Sequence, residues 1–377
     1  MRRITKNVLL FMFGCICIAL YCEFGIYYVV IAQCSWPELL GGSEETTLKA
    51  FMLADTHLLG PWRGHWLDKM RREWQMNRAF QTIVHVHRPE IIFLLGDLFD
   101  EGEWTNRDQF EDYVTRFRKL FAVPEDIKLY VTVGNHDIGF HNNIRRGSIE
   151  RFNKAFNTTS VQLVTIKGNH FVLINSMAME GDYCSLCTDA RSRIESISEI
   201  LQCSENPTKC TSKSKKYIKR NKHNYSRPIL LQHFPLFRKS DAVCTEPDAP
   251  PLPERNKPFR LKIDALSKDA TDYLVSKLKP RAVFGGHTHH GCLLHHNYKL
   301  SDSIEFSEYS IPSFSWRNRP DPKYMLVKIS PENYAVNKCE LPKETTIAFT
   351  AIVSLILFSC YLVRRRHIDM KGFAITF

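Results

Sequence analysis

The chain has 377 residues, 44% of them hydrophobic, enough for one large domain or two ordinary ones around a substantial core. Its net charge is +11, from 51 Lys and Arg against 40 Asp and Glu, but much of the excess sits in the two tails and in Lys213–Lys222. That run holds a single tyrosine and lacks the interleaved aromatics of a nucleic-acid platform, so nucleic acid is excluded as a partner.

From the N-terminus, Arg2, Arg3 and Lys6 precede an apolar stretch from Val8 to Ala32 that carries one charge, Glu23. A signal peptide has this basic start and apolar middle. The apolar character persists through Gly25–Ile31, however, with no small-x-small cleavage site. The expectation is a cytosolic tail over 1–7 and a retained membrane helix over 8–32. Glu23 costs roughly 2–3 kcal/mol in lipid, and the sequence offers no account of it.

The region 43–343 reads as one domain. Buried strands are predicted over 48–54, 91–95, 129–133, 170–175, 228–231 and 281–284, with half-exposed strands over 303–311 and 324–329. Helices are predicted over 68–88, ending before Pro89, over 106–121 with Asn106 as cap, over 190–202 with Asp189 as cap, and over 271–278. Strands joined by helices imply an α/β fold, a buried sheet with helices outside. Lys213–Lys222 reads as a solvated or disordered loop, with attraction to phosphorylated lipid head groups the lesser alternative.

The chain closes with an uncharged run over 345–363, near the length of a membrane helix, and a basic tail over 364–377 that opens with Arg364-Arg365-Arg366-His367. Basic residues outside both apolar runs place both tails in the cytosol and the middle on the lumenal or exterior side. Glycosylation sequons at Asn157 and Asn224 agree with that side. So do the cysteines of the middle region, Cys184, Cys187, Cys203, Cys210, Cys244, Cys292 and Cys339, with Cys34 at its edge. Some would pair in an oxidising compartment, in a pattern that sequence alone does not give. For Cys184-Ser-Leu-Cys187 a disulfide or structural role is favoured over half a zinc site. The tail Met370–Phe377 has no dilysine retrieval signal.

Five stretches, each close behind an apolar run, carry metal-ligand residues: Asp55-Thr-His57, Gly96-Asp97-Leu-Phe-Asp100, Gly134-Asn135-His136-Asp137, His233, and Gly286-His287-Thr-His289. Taken singly, each reads as structural: Asp-x-His recurs by chance, and a lone His233 is more often a packed core histidine. Taken jointly and in order, they converge at the C-terminal edge of a sheet, where α/β folds gather ligands. His and Asp together suit Mn, Fe or Zn better than Ca or Mg. Asp97 has two carboxylate oxygens and can bridge two ions about 3.5–4 Å apart.

This ordered set resembles the calcineurin-like metallophosphoesterase superfamily. Two flanking membrane helices, Gly-Asp-Leu-Phe-Asp-Glu-Gly and Ser313-Phe-Ser-Trp-Arg-Asn318 are similar to its membrane-tethered branch, which includes the yeast cell division control phosphoesterase. The resemblance implies a two-sheet αββα sandwich. It implies two divalent ions, Mn²⁺ first with Fe or Zn as alternatives. Asp55, His57 and His289 would hold one ion, Asn135, His233 and His287 the other, Asp97 would bridge, and His136 would act on the leaving oxygen. Asp100 would stand behind a ligand. Arg317 is a candidate for the substrate phosphate, with a surface ion pair as the bland alternative.

The resemblance further implies removal of ethanolamine phosphate from a mannose of GPI anchors. That places the chain in the membrane of the early secretory pathway (endoplasmic reticulum exit sites, the intermediate compartment and Golgi). GPI-anchored proteins would be its substrates, and coat or cargo-sorting machinery a further partner class. The alternatives are a phosphatase or phosphodiesterase for another lumenal phosphoester and a non-enzymatic metal-bearing membrane receptor.

Overall fold

The computed structural model describes residues 2–41, 43–180, 184–221, 225–299 and 303–374. Among them the strands are β1 (Leu48–Leu53), β2 (Ile91–Leu95), β3 (Lys128–Thr132), β4 (Val161–Ile166), β5 (Asn169–Ile174), β6 (Ile229–Leu231), β7 (Ala282–Gly285), β8 (Cys292–Lys299), β9 (Ser303–Ser310), β10 (Lys323–Ile329) and β11 (Tyr334–Glu340). The α-helices are α1 (Arg2–Leu20), α2 (Ile26–Ile31), α3 (Trp66–His87), α4 (Arg107–Leu120), α5 (Asn135–Ile138), α6 (Arg146–Phe156), α7 (Ser185–Glu205), α8 (Ser212–Asn221), α9 (Leu252–Arg255), α10 (Lys268–Leu278) and α11 (Glu344–Ala374).

Two mixed sheets stack face to face. One has the order β11-β10-β1-β2-β3, the other β4-β5-β6-β7-β9-β8. β1, β2 and β3 are parallel, as are β5, β6, β7 and β9, so the central strands of each sheet share a direction. Alternate side chains explain the unbroken apolar runs. Ala50, Met52, Phe93 and Leu95 face Phe171, Leu173, Ile229, Leu231 and Phe284 between the sheets, with the Phe93 and Phe171 rings 4.9 Å apart. Phe51, Leu53, Ile92 and Leu94 point outward under Phe80 and Ile83 of α3. Central strands covered on both faces need apolar residues at every position, not at every second one.

The helix ends have local causes. Asn106 caps α4 through reciprocal bonds with Gln109, and Arg88 closes α3 in a left-handed conformation before Pro89. Two expectations change. α7 begins at Ser185 with Cys184 as cap, while Asp189 lies inside the helix and pairs with Ser160 and Arg193. As far as Asn221 the basic run is a helix, α8, rather than a loop. Thr211 and Ser214 bond each other's backbone N–H groups at its start, and nothing in Lys213–Asn221 breaks a helix. Asn157 is exposed at the end of α6. Asn224 lies outside the described residues.

The terminal helices are joined to the domain as well as to each other. Two stretches, Thr5–Ile31 and Glu344–Arg365, are long and apolar enough to cross a membrane. They run antiparallel, with Phe11 stacked on Phe358 and Cys22 beside Ile347. The first passes through a π-helical turn, Tyr21–Gly25, and then buries Ile26, Tyr27 and Ile31 in the domain core. Glu23 now has its account: its carboxylate meets Arg71 at 2.6 Å and accepts from Trp74 Nε1 at 2.9 Å, both on α3.

All eight described cysteines of the domain and its edge pair, as Cys34–Cys339, Cys184–Cys187, Cys203–Cys210 and Cys244–Cys292. The free cysteines, Cys15, Cys17, Cys22 and Cys360, all lie in the terminal helical segments. Cys34–Cys339 spans 305 residues and ties the end of the first helical segment to β11. Cys339→Ser is expected to cost about 2–5 kcal/mol, read as a fall in the thermal midpoint of the purified chain. Cys34→Ser should cost the same, and the double variant no more than either alone.

Candidate metal centre

The C-terminal ends of β1, β2, β3, β6 and β7 meet at one edge of the sandwich, and each delivers one of the five ligand-bearing stretches. The donor atoms of Asp55, His57, Asp97 and His289 all lie within 4.8 Å of one another, and so do those of Asp97, His233 and His287. Asp97 is common to both groups. Its Oδ2 is 3.5 Å from His57 Nε2 and 3.2 Å from His233 Nε2, and its Oδ1 accepts from the His136 N–H at 2.8 Å. Asn135 is the neighbour of His136 at the start of α5.

Three of the imidazoles have one nitrogen committed, which fixes the other. His57 Nδ1 lies 3.2 Å from Asp100 Oδ1, His233 Nδ1 donates to Leu95 O at 2.8 Å, and His287 Nε2 donates to Ile263 O at 2.7 Å. Partners of this kind orient metal-binding histidines and raise their basicity. The remaining nitrogens turn inward, and His57 Nε2 comes within 3.1 Å of His289 Nε2.

The residues fit a cation pair on three grounds. First, the donor set of imidazoles and carboxylates suits borderline divalent metals. Second, Asn135 Oδ1 is buried without a hydrogen-bond partner. Buried polar atoms left unpaired are rare and ask for an explanation. Third, the backbone is strained at these positions: Asp55, His57, Asp97, His287 and His289 have φ of 57, 43, 49, 71 and 60°. Such conformations cost about 1–3 kcal/mol each and cluster where function holds them.

Glycine is required at two places. Gly96 has φ +82°, and a Cβ there would come 2.5 Å from the His233 ring. A Cβ on Gly134 would collide with the Asp97 carboxylate and backbone N.

Electrostatics follow from burial. Asp55 and Asp97 are 0% and 1% exposed. Burial alone would lower the pKa of His57, but the Asp100 and Asp55 hydrogen bonds and the Asp97 charge push it up to about 10. His233 is likewise pushed up to about 9 against its burial, chiefly by Asp97. Burial pushes His287 down to about 3, with the His233 charge acting the same way.

The remaining sequence candidates take defined places. His136 hangs its Nδ1 on the Asp100 carbonyl at 2.9 Å, leaving Nε2 as its open nitrogen. Asp100 stands behind His57, with Oδ2 unpaired. Arg317 sits on the rim, its guanidinium held by Asp68 at 3.2 Å and by the Arg63 carbonyl at 3.0 Å.

Several residues that shape the site had no role in the sequence reading. Asp137 is wholly buried and accepts from Phe99 N and Gly134 N, closing the turn that carries Asn135. Burial, with the Asp97 charge, pushes it up to about 8. Ser176 Oγ accepts from both His233 N and Phe234 N. In the Ser313–Asn318 stretch it is Ser313 that reaches the centre, donating to Asp55 O at 2.7 Å, while Arg319 just beyond it donates to His289 O at 2.7 Å. The motif was visible in the sequence, but its contacts run to backbone carbonyls, which carry no residue-type signal.

A profile of the family described as "Calcineurin-like phosphoesterase" matches residues 48–291. The chain belongs to the calcineurin-like phosphoesterase family. It is 47% identical over 341 residues to "Metallophosphoesterase 1" of Gallus gallus, covering 88% of this chain and 83% of that one. It is 43% identical over 358 residues to "Metallophosphoesterase 1" of Danio rerio (95% and 91%), and 45% identical over 336 residues to "Metallophosphoesterase 1 homolog" of Drosophila melanogaster (88% and 87%). Family membership makes the chain a metal-dependent phosphoester hydrolase with a dimetal centre.

Asp100→Asn should lower metal affinity about 10–100-fold while leaving the fold intact, measured by metal titration with a circular dichroism control. Metal uptake should also release protons. In the metal-free protein His57 and His233, raised to about 10 and about 9, are still protonated at pH 7.5. The stabilisation from their protonation is complete below the unfolded value near 6.5 and is lost as pH rises through 9 to 10. Metal must therefore displace protons at pH 7.5, and affinity must weaken as pH falls. Calorimetry in buffers of different ionisation enthalpy counts them; metal uptake without proton release would contradict this charge state.

Proposed function

We propose that the chain is a dimetal phosphodiesterase that removes ethanolamine phosphate from a mannose of GPI anchors, and that GPI-anchored proteins passing through the early secretory pathway are its substrates. The observation that carries this reading is the arrangement of the Asp97-centred cluster on a domain tied at both ends to apolar terminal helices. Glu23–Arg71 and Arg72–Glu344, at 2.6 and 2.7 Å, lock both helices to α3, whose N-terminal end follows the loop after His57. A site held this way beside a bilayer meets lipid-borne substrates at high effective concentration.

We assign Asp55, His57 and His289 to one ion, Asn135, His233 and His287 to the other, and Asp97 to both, with Mn²⁺ as the ion. When bound, the ions neutralise the phosphoester charge and supply a nucleophile from water at neutral pH. The chain's own groups do the rest. Asp100 holds the His57 ring in place, and Asp137 fixes the turn that presents Asn135 and His136. The His136 ring, with its Nδ1–H held by the Asp100 carbonyl, would as imidazolium give its Nε2 proton to the leaving alkoxide. A cleft of about 420 Å³ adjoins the centre along His287, Thr288 and His290, with Lys257, Arg260, Glu254 and Asp264 on its walls. Walls of both signs suit a zwitterionic ethanolamine phosphate. Arg317 is a candidate phosphate contact only if it leaves Asp68.

Pairing of every cysteine of the domain, while those in the terminal helices stay free, supports an oxidising, lumenal position for residues 43–343, with membrane spans over 8–32 and 345–363 and both basic tails in the cytosol. Exposed Asn157 is then a glycosylation site. Coat or cargo-sorting machinery would meet the tails.

The test uses detergent-solubilised full chain with Mn²⁺ and GPI glycans bearing ethanolamine phosphate branches, followed by mass spectrometry. Loss of the group from one mannose, absent in Asp97→Ala, is the expected result. Cleavage of a generic phosphodiester with the GPI left intact would keep the chemistry and remove the substrate.

A further inference from the structure

The first turns of α3 display an apolar stripe on the outside of the domain. Trp66, Leu67, Met70 and Trp74 are 64, 48, 59 and 37% exposed. At 3.6 residues per turn these four fall within an arc of about 100°. Most charged neighbours on the same turns are taken up elsewhere: Asp68 and Arg72 pair with each other, Arg71 pairs with Glu23, and Arg72 also meets Glu344. A continuous exposed aromatic and aliphatic face on a soluble surface marks an interaction site.

The register between α3 and the N-terminal segment says what covers it. Glu23 and Phe24 meet Trp74, Tyr28 meets His85, and Trp36 Nε1 donates to the His87 carbonyl. Both residue numbers rise together, so the two helical segments run parallel. Counting back eight residues from Trp74, at 1.5 Å per residue, sets Trp66 about 12 Å further along the axis. That is the side of the ionic layer formed by Glu23, Arg71, Arg72 and Glu344 on which the apolar stretch lies.

The same stripe is coupled to the metal centre. The loop from Leu58 to His65 connects His57 to α3, and Arg317 clamps that loop's Arg63 carbonyl to Asp68.

We propose that this stripe is a membrane seat. The N-terminal end of α3 inserts into the leaflet facing the domain and holds the mouth of the metal centre in the head-group layer. The hydrolysed phosphoester is therefore one carried by a bilayer-anchored molecule. Tryptophan at this depth is at home, because the indole is apolar with one polar edge, and the ionic layer then lies among the head groups. The proposal rests on the reading of the terminal helices as membrane spans. It does not depend on which head group is cut.

The test places the full chain in phosphatidylcholine nanodiscs, with acyl chains plain or brominated, and takes the Trp66 emission as wild type minus Trp66→Phe. That component should lose roughly half its intensity in brominated lipid, as expected for a side chain at the acyl boundary, and resist aqueous acrylamide. Emission quenched by acrylamide and indifferent to bromine overturns the seat. So does emission shielded from both in a dimeric chain, which assigns the stripe to a second copy.

A second arm uses Trp66→Ser/Leu67→Ser/Met70→Ser. It should hydrolyse soluble methyl p-nitrophenyl phosphate within about twofold of wild type, yet lose about tenfold on a long-chain alkyl p-nitrophenyl phosphate embedded in the disc, the expected cost of losing a preset orientation. An equal fall on both would show a merely structural role. Failure of GPI as substrate would leave both arms unchanged, so the two ideas fail separately.

Discussion

Two carboxylates, Asp55 and Asp97, are buried almost completely where the sheets meet, and burying an ionised carboxylate costs several kcal/mol unless positive charge is beside it. The rest of the centre answers that constraint. Four imidazoles surround the acids, and those of His57, His233 and His287 are each steered by a second contact that leaves one nitrogen facing inward. Without metal the cluster takes up protons as its positive charge: the acids push His57 and His233 upward against their burial, while burial and the His233 charge push His287 down. On the proposed assignment, the same nitrogens and oxygens would be the donors to metal. The strained backbone at Asp55, His57, Asp97, His287 and His289 is the cost of bringing them to one point.

The scaffold makes that convergence stiff. Parallel strands covered on both faces end in register, so short turns are enough to aim the ligands. Around this edge the chain adds long-range ties: Ser313 to the Asp55 carbonyl, Arg319 to the His289 carbonyl, and the Cys244–Cys292 disulfide just beyond the last histidine block. The terminal helices join at the same side through Glu23, Arg71, Arg72 and Glu344. The apolar terminal helices and the ligand-bearing edge are thereby parts of one packed unit.

Much of this was legible in the sequence because the signals were of two robust kinds. Unbroken apolar runs ending in Gly, Asp or His gave the central strands and their edges, and ligand-type side chains in a fixed order gave the cluster. What was not legible depended on other physics. β4, β8 and β11 lie at or beside sheet edges, where partial exposure dilutes the apolar pattern. The helix α8 has few apolar residues and was read from charge alone. Glu23 looked like a misplaced charge in lipid because its partner, Arg71, is 48 residues away. The supporting contacts of Ser176, Ser313 and Arg319 run to or from the backbone, so no pair of residue types announces them.

The central claim is that one carboxylate, Asp97, is shared by two ions. Electron paramagnetic resonance of the Mn²⁺-loaded full chain tests it directly, together with metal content per chain. The account predicts two ions per chain and the spectrum of an exchange-coupled pair, as required for ions about 3.5–4 Å apart across a shared ligand. One ion per chain, or two with the hyperfine pattern of isolated Mn²⁺, would contradict it.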